Sequence, residues 1–284
     1  MDFISPSEIK KIASRYGFVF KKGLGQNFLC SQEVLEDIAT AAQINDSGVI
    51  EIGPGFGVLT NELAKRAKKV VALEIDDRLI PILNDTLSEY DNVKVINKDI
   101  LKTDIKELIS QEFGSLPVSI AANLPYYITT PIITEVIEAK LPIKNLVVMV
   151  QKEVADRIVA KPGSKDFGAI SVLCQYYAET EIIMTVPANL FVPPPKVDSA
   201  VVKLTFYKKP AVEAKDEKMF FRTVKAAFSQ RRKTLLNCLS ANFPNDKAEL
   251  VSILESVGID PQRRGETLSL DEFAKLSDCV YNTY

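Results

Sequence analysis

The chain has 284 residues, 46% of them hydrophobic and 25% charged, as expected for a large globular domain with a small appendage. Its net charge of −2 excludes a polycation. No apolar run reaches the ~20 residues of a membrane span and the N-terminus lacks a signal-peptide core, so we expect no membrane contact. We also expect the protein to be cytoplasmic and monomeric. The four cysteines are far apart and histidine is absent, which argues against disulfides and a metal site and excludes imidazole catalysis.

Short apolar runs alternate with helical patterns from about residue 48 to 151. Five of these runs read as buried strands: GVIEIGP, KVVALEID, VKVINKD, VSIAANLP and NLVVMVQ. Alternation of strand and helix is typical of a parallel sheet covered on both faces. Two later runs, TEIIMTVP and SAVVKLTFYK, bring the count to seven strands. The sequence therefore predicts an α/β, Rossmann-like domain with a seven-stranded, mostly parallel sheet.

The pattern changes after Pro210. From there to the end, apolar residues recur only at helical spacing, as in KMFFRTVKAAFS and SLDEFAKLSDCVY. We therefore expect a Rossmann-like domain over residues 1–208, opening with a helical and loop segment (1–47), and a small all-helical domain over 209–284.

A glycine-rich turn follows the first strand of the alternating region. Gly53, Gly55 and Gly57 stand between this strand and a helix, where backbone N–H groups can approach a ligand closely. Glu74 ends the next strand and Asp99 the one after it, at positions suited to a ribose hydroxyl and an adenine amine. An adenosine-bearing cofactor is predicted, although this segment alone leaves a nicotinamide or flavin cofactor open, as well as a purely structural turn.

The fourth strand ends in Asn123-Leu124-Pro125-Tyr126, a pattern typical of enzymes that methylate amino nitrogens. The Asn123 side chain and the carbonyl of Leu124 or Pro125 offer two acceptors for the hydrogens of an adenine N6 amine. Such acceptors align the nitrogen lone pair without a strong base, while Tyr126 stacks on a flipped-out base and Pro125 stiffens the turn. The simpler alternative is a strand-ending turn with a core tyrosine.

Basic residues cluster in the helical region. Six lie between Lys218 and Lys233 without an acidic residue. We expect Arg231, Arg232 and Lys233 to bind RNA phosphates, with a solvated helix face as the alternative.

The chain resembles the ribosomal RNA adenine N6-dimethyltransferase family, and most closely its bacterial small-subunit (16S) members. The resemblance covers nearly the whole chain and rests on these segments: GQNFL at 25–29, EIGPGFGVLT at 51–60, EID at 74–76, DIL at 99–101, NLPYYITTPII at 123–133, QKEVADRI at 151–158, FVPPPKVDSAVVKL at 191–204 and FSQRRKTLLN at 228–237. One departure is Lys22-Gly23-Leu24, where the family has a basic and an aromatic residue, which puts RNA contacts there in doubt.

The resemblance implies S-adenosylmethionine as cofactor and no metal. It assigns Gln26, Asn27 and Leu29 to the cofactor pocket, and Gly53 and Gly55 to the methionine part of the cofactor. Glu74 would bind the ribose hydroxyls of the cofactor, and Asp99 its adenine amine. Asn123 would contact both the cofactor and the target, and Phe191 would pack on the target base opposite Tyr126.

The implied substrate is a pair of adjacent adenosines in the 3′-terminal hairpin loop of small-subunit rRNA, each dimethylated, with the immature small ribosomal subunit as partner. Two alternatives remain at this point. One is a large-subunit (23S) rRNA dimethyltransferase that confers antibiotic resistance, which the segments at 191–204 and 228–237 disfavour. The other is a non-catalytic RNA-binding assembly factor.

Overall fold

The computed structural model describes residues 5–19 and 26–282, so Gly25 and the Lys22-Gly23-Leu24 departure lie outside the described residues. It divides into two compact units. The first comprises Met1–Ala155 and Thr180–Phe206, and the second comprises Asp156–Glu179 and Tyr207–Tyr284.

The first unit is built on a seven-stranded sheet. The strands of the chain are β1 (Phe28–Leu29), β2 (Gly48–Ile52), β3 (Lys69–Glu74), β4 (Val93–Asn97), β5 (Val118–Asn123), β6 (Ile143–Gln151), β7 (Ala178–Val186), β8 (Phe191–Val192) and β9 (Ser199–Phe206). The order in the large sheet is β4-β3-β2-β5-β6-β9-β7. All seven predicted strands are present, and the prediction of a Rossmann-like sheet is confirmed.

The pairing of the strands explains where a ligand site can form. β2 pairs in parallel with both β3 and β5, and β9 runs antiparallel to β6. The central residues Ile50, Val71 and Ile120 are all 0% exposed, as expected for strands covered on both faces. The carboxyl ends of β2, β3 and β5 therefore meet at one edge of the sheet.

Helices surround this sheet and form most of the second unit. They are α1 (Pro6–Arg15), α2 (Gln32–Ala41), α3 (Val58–Ala64), α4 (Ile80–Thr86), α5 (Ile105–Phe113), α6 (Thr129–Glu138), α7 (Lys152–Val159), α8 (Ala169–Tyr177), α9 (Glu217–Ala227), α10 (Leu235–Ser240), α11 (Lys247–Ser256) and α12 (Leu270–Asn282). Aspartates at N-caps fix several helix starts; Asp104, for example, accepts a hydrogen bond from Glu107 N at 2.9 Å. In the described ranges, no helix is long and apolar enough to cross a membrane.

A second, two-stranded sheet lies beside the large one and is absent from the sequence prediction. β1 pairs antiparallel with β8, with Leu29 opposite Phe191 and Phe28 opposite Val192. Both strands are two residues long, too short for any alternation to be visible. This sheet brings the segment around residue 28 against the one around residue 191.

The domain division differs from the predicted boundary at residue 208. The second unit begins its long segment at Tyr207 but also includes Asp156–Glu179, which the sequence prediction gave to the first domain. Aromatic packing explains the difference, because Tyr176 of α8 contacts Phe220 and Phe221 of α9 with ring centroids 4.7 and 5.1 Å apart. The sequence alone does not reveal that a tyrosine and a phenylalanine 40 or more positions apart are in contact.

Candidate active site

A cleft opens at the carboxyl ends of β2, β3 and β5. It contains about 890 Å³ when the open mouth is counted with it. Most of its walls come from four stretches of chain: Gln26–Leu29, Glu51 with Gly53–Gly55, Glu74–Asp76, and Asn123–Ile128. The predicted residues Gln26, Asn27, Leu29, Gly53, Gly55, Glu74, Asn123, Pro125 and Tyr126 thus all lie on one cleft.

The glycine turn forms the floor of this cleft. Gly53, Gly55 and Gly57 have φ angles of +69°, +59° and +83°, a region that side chains with a Cβ rarely adopt. A Cβ on Gly55 would also lie 2.7 Å from Cε1 of Phe28. The turn therefore needs glycine for its backbone conformation and for the close packing of the N-terminal segment.

Glu74 links the end of β3 to the glycine turn. Its Oε2 accepts a hydrogen bond from Gly55 N at 3.2 Å, and its Oε1 accepts one from Asp76 N at 2.8 Å. The side chain is 4% exposed, and burial raises the pKa of Glu74 despite these two bonds. The carboxyl group is thus held rigidly at the wall, with lone pairs left to accept from a ligand hydroxyl.

Glu51 is a second buried acid at the cleft, and the sequence prediction gave it no role. Burial raises the pKa of Glu51 to about 8, and the nearby carboxylate of Glu74 adds to the shift. Its Oε2 has no hydrogen-bond partner among the described residues. Glu51 therefore holds a proton near neutral pH. Because it stands within a hydrophobic strand, the sequence did not indicate that it lies at the cleft.

The N-terminal segment is fastened to the end of β3 by a short polar chain. Gln26 Nε2 donates to Asp76 Oδ2 at 3.0 Å, and Arg78 Nε donates to Asp76 Oδ1 at 2.8 Å. The Arg78 guanidinium also donates to the carbonyl of Val19 and lies 4.7 Å from the ring centre of Phe18. The hydrogen bonds from Arg78 lower the pKa of Asp76, so this carboxylate stays ionised as an anchor.

Asn123 ends β5 with its side-chain amide held in one orientation. Its Nδ2 donates to the carbonyl oxygen of Asn27 at 3.1 Å, which leaves Oδ1 as an acceptor. The carbonyl of Pro125 already accepts from Ile128 N and Thr129 Oγ1, at 3.2 and 3.1 Å. Of the two carbonyls that the sequence left open, Leu124 is therefore the better second acceptor for an amine.

Tyr126 lines the cleft with its hydroxyl turned into the protein. The hydroxyl lies 2.6 Å from Ser199 Oγ, and Ser199 is 0% exposed. Burial raises the pKa of Tyr126, so the phenol is neutral. The neighbouring Tyr127 is 54% exposed, so only one ring of this pair is anchored.

Two predicted site residues lie off the cleft. Asp99 accepts a hydrogen bond from Leu101 N at 3.0 Å and lies 3.9 Å from Lys102 Nζ, so its carboxylate caps the turn after β4. Phe191 is 2% exposed and packs in the core. Phe191 pairs with Leu29 of β1 and is not among the residues that line the cleft, and its predicted place on the target base opposite Tyr126 stays a prediction.

The predicted RNA-binding residues belong to the second unit and follow α9. Arg231, Arg232 and Lys233 are all exposed. Arg231 Nη2 donates to the carbonyl oxygen of Lys165 at 2.6 Å, so this arginine also holds the loop before α8. Arg232 and Lys233 present their charges to solvent.

The described residues contain no group of three or more His, Cys, Asp or Glu side chains that could hold a metal ion. The polar groups of the cleft are instead backbone N–H groups, carboxylates and side-chain amides. These suit an organic ligand with hydroxyl and amine groups.

Comparison with known proteins finds relatives that match nearly the whole chain. A family model described as ribosomal RNA adenine dimethylase matches residues 17–279. The ribosomal RNA small subunit methyltransferases A of Bacillus mycoides (strain KBAB4) and Bacillus cereus (strain AH187) are each 57% identical over 284 residues, covering 98% of this chain and 97% of the relative.

Two solved structures share the fold along most of the chain. A dimethyladenosine transferase from Plasmodium falciparum has a TM-score of 0.74 at 27% identity, covering 88% of this chain and 95% of its own. The 23S rRNA methyltransferase ErmE has a TM-score of 0.68 at 27% identity, covering 89% and 99%.

Proposed function

Because this chain belongs to the ribosomal RNA adenine dimethylase family, we propose that it dimethylates the N6 amines of two adjacent adenosines in the 3′-terminal hairpin loop of small-subunit (16S) rRNA. The family membership makes it an rRNA methyltransferase and confirms the resemblance seen in the sequence. What we propose beyond this is which adenosines are methylated and how many methyl groups each receives.

The arrangement of Asn123, Leu124 and Tyr126 is the observation that carries this proposal. The fixed amide leaves Asn123 Oδ1 to accept one N6 hydrogen, and the Leu124 carbonyl accepts the other. Two acceptors weaken conjugation of the nitrogen lone pair with the ring and direct that lone pair toward the methyl donor. Tyr126 then stacks on the base. No general base of high pKa is needed before the transfer, because the proton is lost from the nitrogen after it becomes cationic.

S-adenosylmethionine fits the remaining groups of the cleft and would supply an electrophilic methyl group. Glu74 would accept from its ribose hydroxyls, and the glycine turn at Gly53 and Gly55 would accommodate the methionine part. Gln26, Asn27 and Leu29 would close over it from the N-terminal segment. Asp99 is not among the residues that line the cleft, and its contact with the adenine amine of the cofactor stays a prediction.

The small subunit is the preferred substrate over the large one. The curated relatives at 57% identity are named for the small subunit, whereas the large-subunit enzyme ErmE is 27% identical. Arg232 and Lys233 would contact phosphates of the rRNA in an immature subunit. We place the protein in the cytoplasm as a monomer that acts during small-subunit maturation, without a metal and without membrane contact.

Methyl transfer to ribosomal particles tests this assignment. Small subunits and large-subunit rRNA, each lacking the modification, are incubated with the protein and labelled S-adenosylmethionine, and methylated nucleosides are mapped by mass. We expect N6,N6-dimethyladenosine at two adjacent positions of 16S rRNA. Labelling of large-subunit rRNA alone would indicate the resistance activity, and tight RNA binding without any transfer would indicate a non-catalytic assembly factor.

A further inference from the structure

We propose that Ser199 is a positioning residue for methyl transfer, acting by holding the ring of Tyr126 in the orientation that receives the target base. This inference rests on the proposed function. Ser199 lies in the segment between residues 191 and 204, far from the glycine turn and from Asn123 in the sequence, and no role was predicted for it.

The contact itself is short, and its Ser199 side is buried. The Tyr126 hydroxyl and Ser199 Oγ are 2.6 Å apart, and Ser199 is 0% exposed. A buried hydroxyl without a partner is costly, so the Ser199 hydroxyl depends on that of Tyr126. Since the phenol oxygen is used inside the protein, the part of Tyr126 presented to the cleft is its ring.

Ser199 is itself fixed by the strands and turns around it. It stands opposite Gln151 where β9 pairs with the end of β6. The preceding residue, Asp198, accepts a hydrogen bond from Lys152 N at its carbonyl oxygen (3.0 Å) and one from Ala188 N at Oδ1 (2.9 Å). The anchor of the Tyr126 ring is therefore a rigid point of the sheet and not a mobile loop side chain.

The geometry separates two tasks in the cleft. Asn123 and Leu124 set the direction in which the amine is held, and the Tyr126 ring sets the plane of the base. Loss of the Ser199 hydroxyl allows the ring to tilt about its side-chain torsions, which lowers the fraction of bound bases that are aligned with the methyl donor. Binding of the cofactor does not involve the ring hydroxyl, so cofactor affinity is expected to be unaffected.

A double-mutant cycle tests the role of Ser199. The variants are Tyr126→Phe, Ser199→Ala and the two combined, with Ser119→Ala as matched control, because Ser119 is also a strand serine, 1% exposed, whose hydroxyl donates to Ala42 O at 2.9 Å. The measurements are kcat on unmethylated small subunits, Kd for S-adenosylhomocysteine, and the urea midpoint of unfolding.

Each single change is expected to lower kcat roughly three- to tenfold, the range of one neutral hydrogen bond, and the combined variant to be no slower than the slower single variant. Kd for S-adenosylhomocysteine should stay within about twofold, and Ser119→Ala should lower only the urea midpoint. An unchanged kcat in Ser199→Ala, or effects that multiply in the combined variant, would overturn the positioning role.

The outcomes also distinguish this inference from the proposed function. If the wild-type protein methylates small subunits but the double-mutant cycle shows no coupling in kcat, only the role of Ser199 is overturned. A wild-type protein that transfers no methyl group to them overturns the proposed function, and the positioning role falls with it. Coupling in the urea midpoint without coupling in kcat would show a purely structural hydrogen bond and would also overturn the inference.

Discussion

The side-chain amide of Asn123 donates a hydrogen bond to the backbone carbonyl of Asn27, across 3.1 Å. The two residues stand 96 positions apart in the chain, one at the end of β5 and the other in the N-terminal segment. This bond determines which atom of the amide remains available to a ligand. It therefore couples the segment that lines the cofactor side of the cleft to the residue that would hold the amine.

Replacement Asn123→Ala removes the acceptor for the amine and should abolish most of the activity. We expect kcat to fall by about 10²–10³-fold, the range for loss of a preorganised polar group in the transition state, while RNA affinity is retained. Methyl transfer and filter binding measure the two. Asn92→Ala is the control, since Asn92 donates to the carbonyls of Ala64 and Ala67 away from the cleft. Normal methylation by Asn123→Ala would contradict the assigned reaction site.

Glu74→Gln should weaken cofactor binding. Glutamine keeps one acceptor oxygen, so its amide nitrogen loses one of the two hydrogen bonds that Gly55 N and Asp76 N donate to the carboxylate. We expect Kd for S-adenosylmethionine to rise at least about tenfold, because a hydrogen bond from the ribose to a charged carboxylate is worth about 1.5–3 kcal/mol. Titration calorimetry measures it, with the exposed Glu89→Gln as control. An unchanged Kd would show that Glu74 has only a structural role.

Gly55→Ala tests the close approach of Phe28 to the glycine turn. The new Cβ would meet Phe28 Cε1 at 2.7 Å, whereas at Gly163, also at positive φ, a Cβ meets nothing within 4 Å. Gly163→Ala should cost about 1 kcal/mol from backbone strain alone, and Gly55→Ala about 1–3 kcal/mol more. Urea unfolding measures both. Equal losses in the two variants would show that the Phe28 contact is unimportant.

The strands and the cleft were predictable for a definite reason. β2 to β6 are continuous Val- and Ile-rich runs, and runs of this kind at regular intervals specify a parallel sheet whose carboxyl ends meet. Glu74 and Asn123 therefore came together on the cleft as expected. Asp99 follows the end of β4, where its side chain accepts a hydrogen bond from Leu101 N, and its predicted contact with the cofactor adenine stays a prediction.

The remaining features depend on contacts between distant positions. Phe191 and Leu29 meet in strands of two residues each, and Ser199 meets Tyr126 across 73 positions. Nothing in the local pattern of either segment indicates its partner. The same holds for Tyr176 and Phe220, whose packing moves residues 156–179 into the helical unit.

Glu51 should make the stability of the protein fall as pH rises. Its pKa in the folded protein is raised to about 8 by burial, whereas an unfolded glutamate has a pKa of about 4.3. Between these values the folded protein keeps a proton that the unfolded chain releases. The free energy of unfolding should therefore decrease by up to ~1.4 kcal/mol per pH unit from this group, and Glu51→Gln should remove that slope.

Urea midpoints measured from about pH 5 to about pH 9 check this effect. Glu89→Gln is the control because Glu89 is an exposed glutamate whose loss should leave the slope as in wild type. Parallel curves for wild type and Glu51→Gln would show that Glu51 is already ionised in the folded protein.

Arg232 and Lys233 are expected to carry the salt-sensitive part of RNA binding. Arg231 also donates to the carbonyl of Lys165, so its replacement would disturb the loop as well as remove a charge. The double variant Arg232→Gln/Lys233→Gln avoids this, and it should weaken RNA binding and reduce the slope of log K against log salt by about 1–2, since each lost phosphate contact removes about 0.7–0.9. Lys247→Gln/Lys275→Gln, which removes the same charge from other exposed positions of the second unit, should leave the slope unchanged. If both double variants show the same slope, Arg232 and Lys233 belong to an ordinary solvated surface.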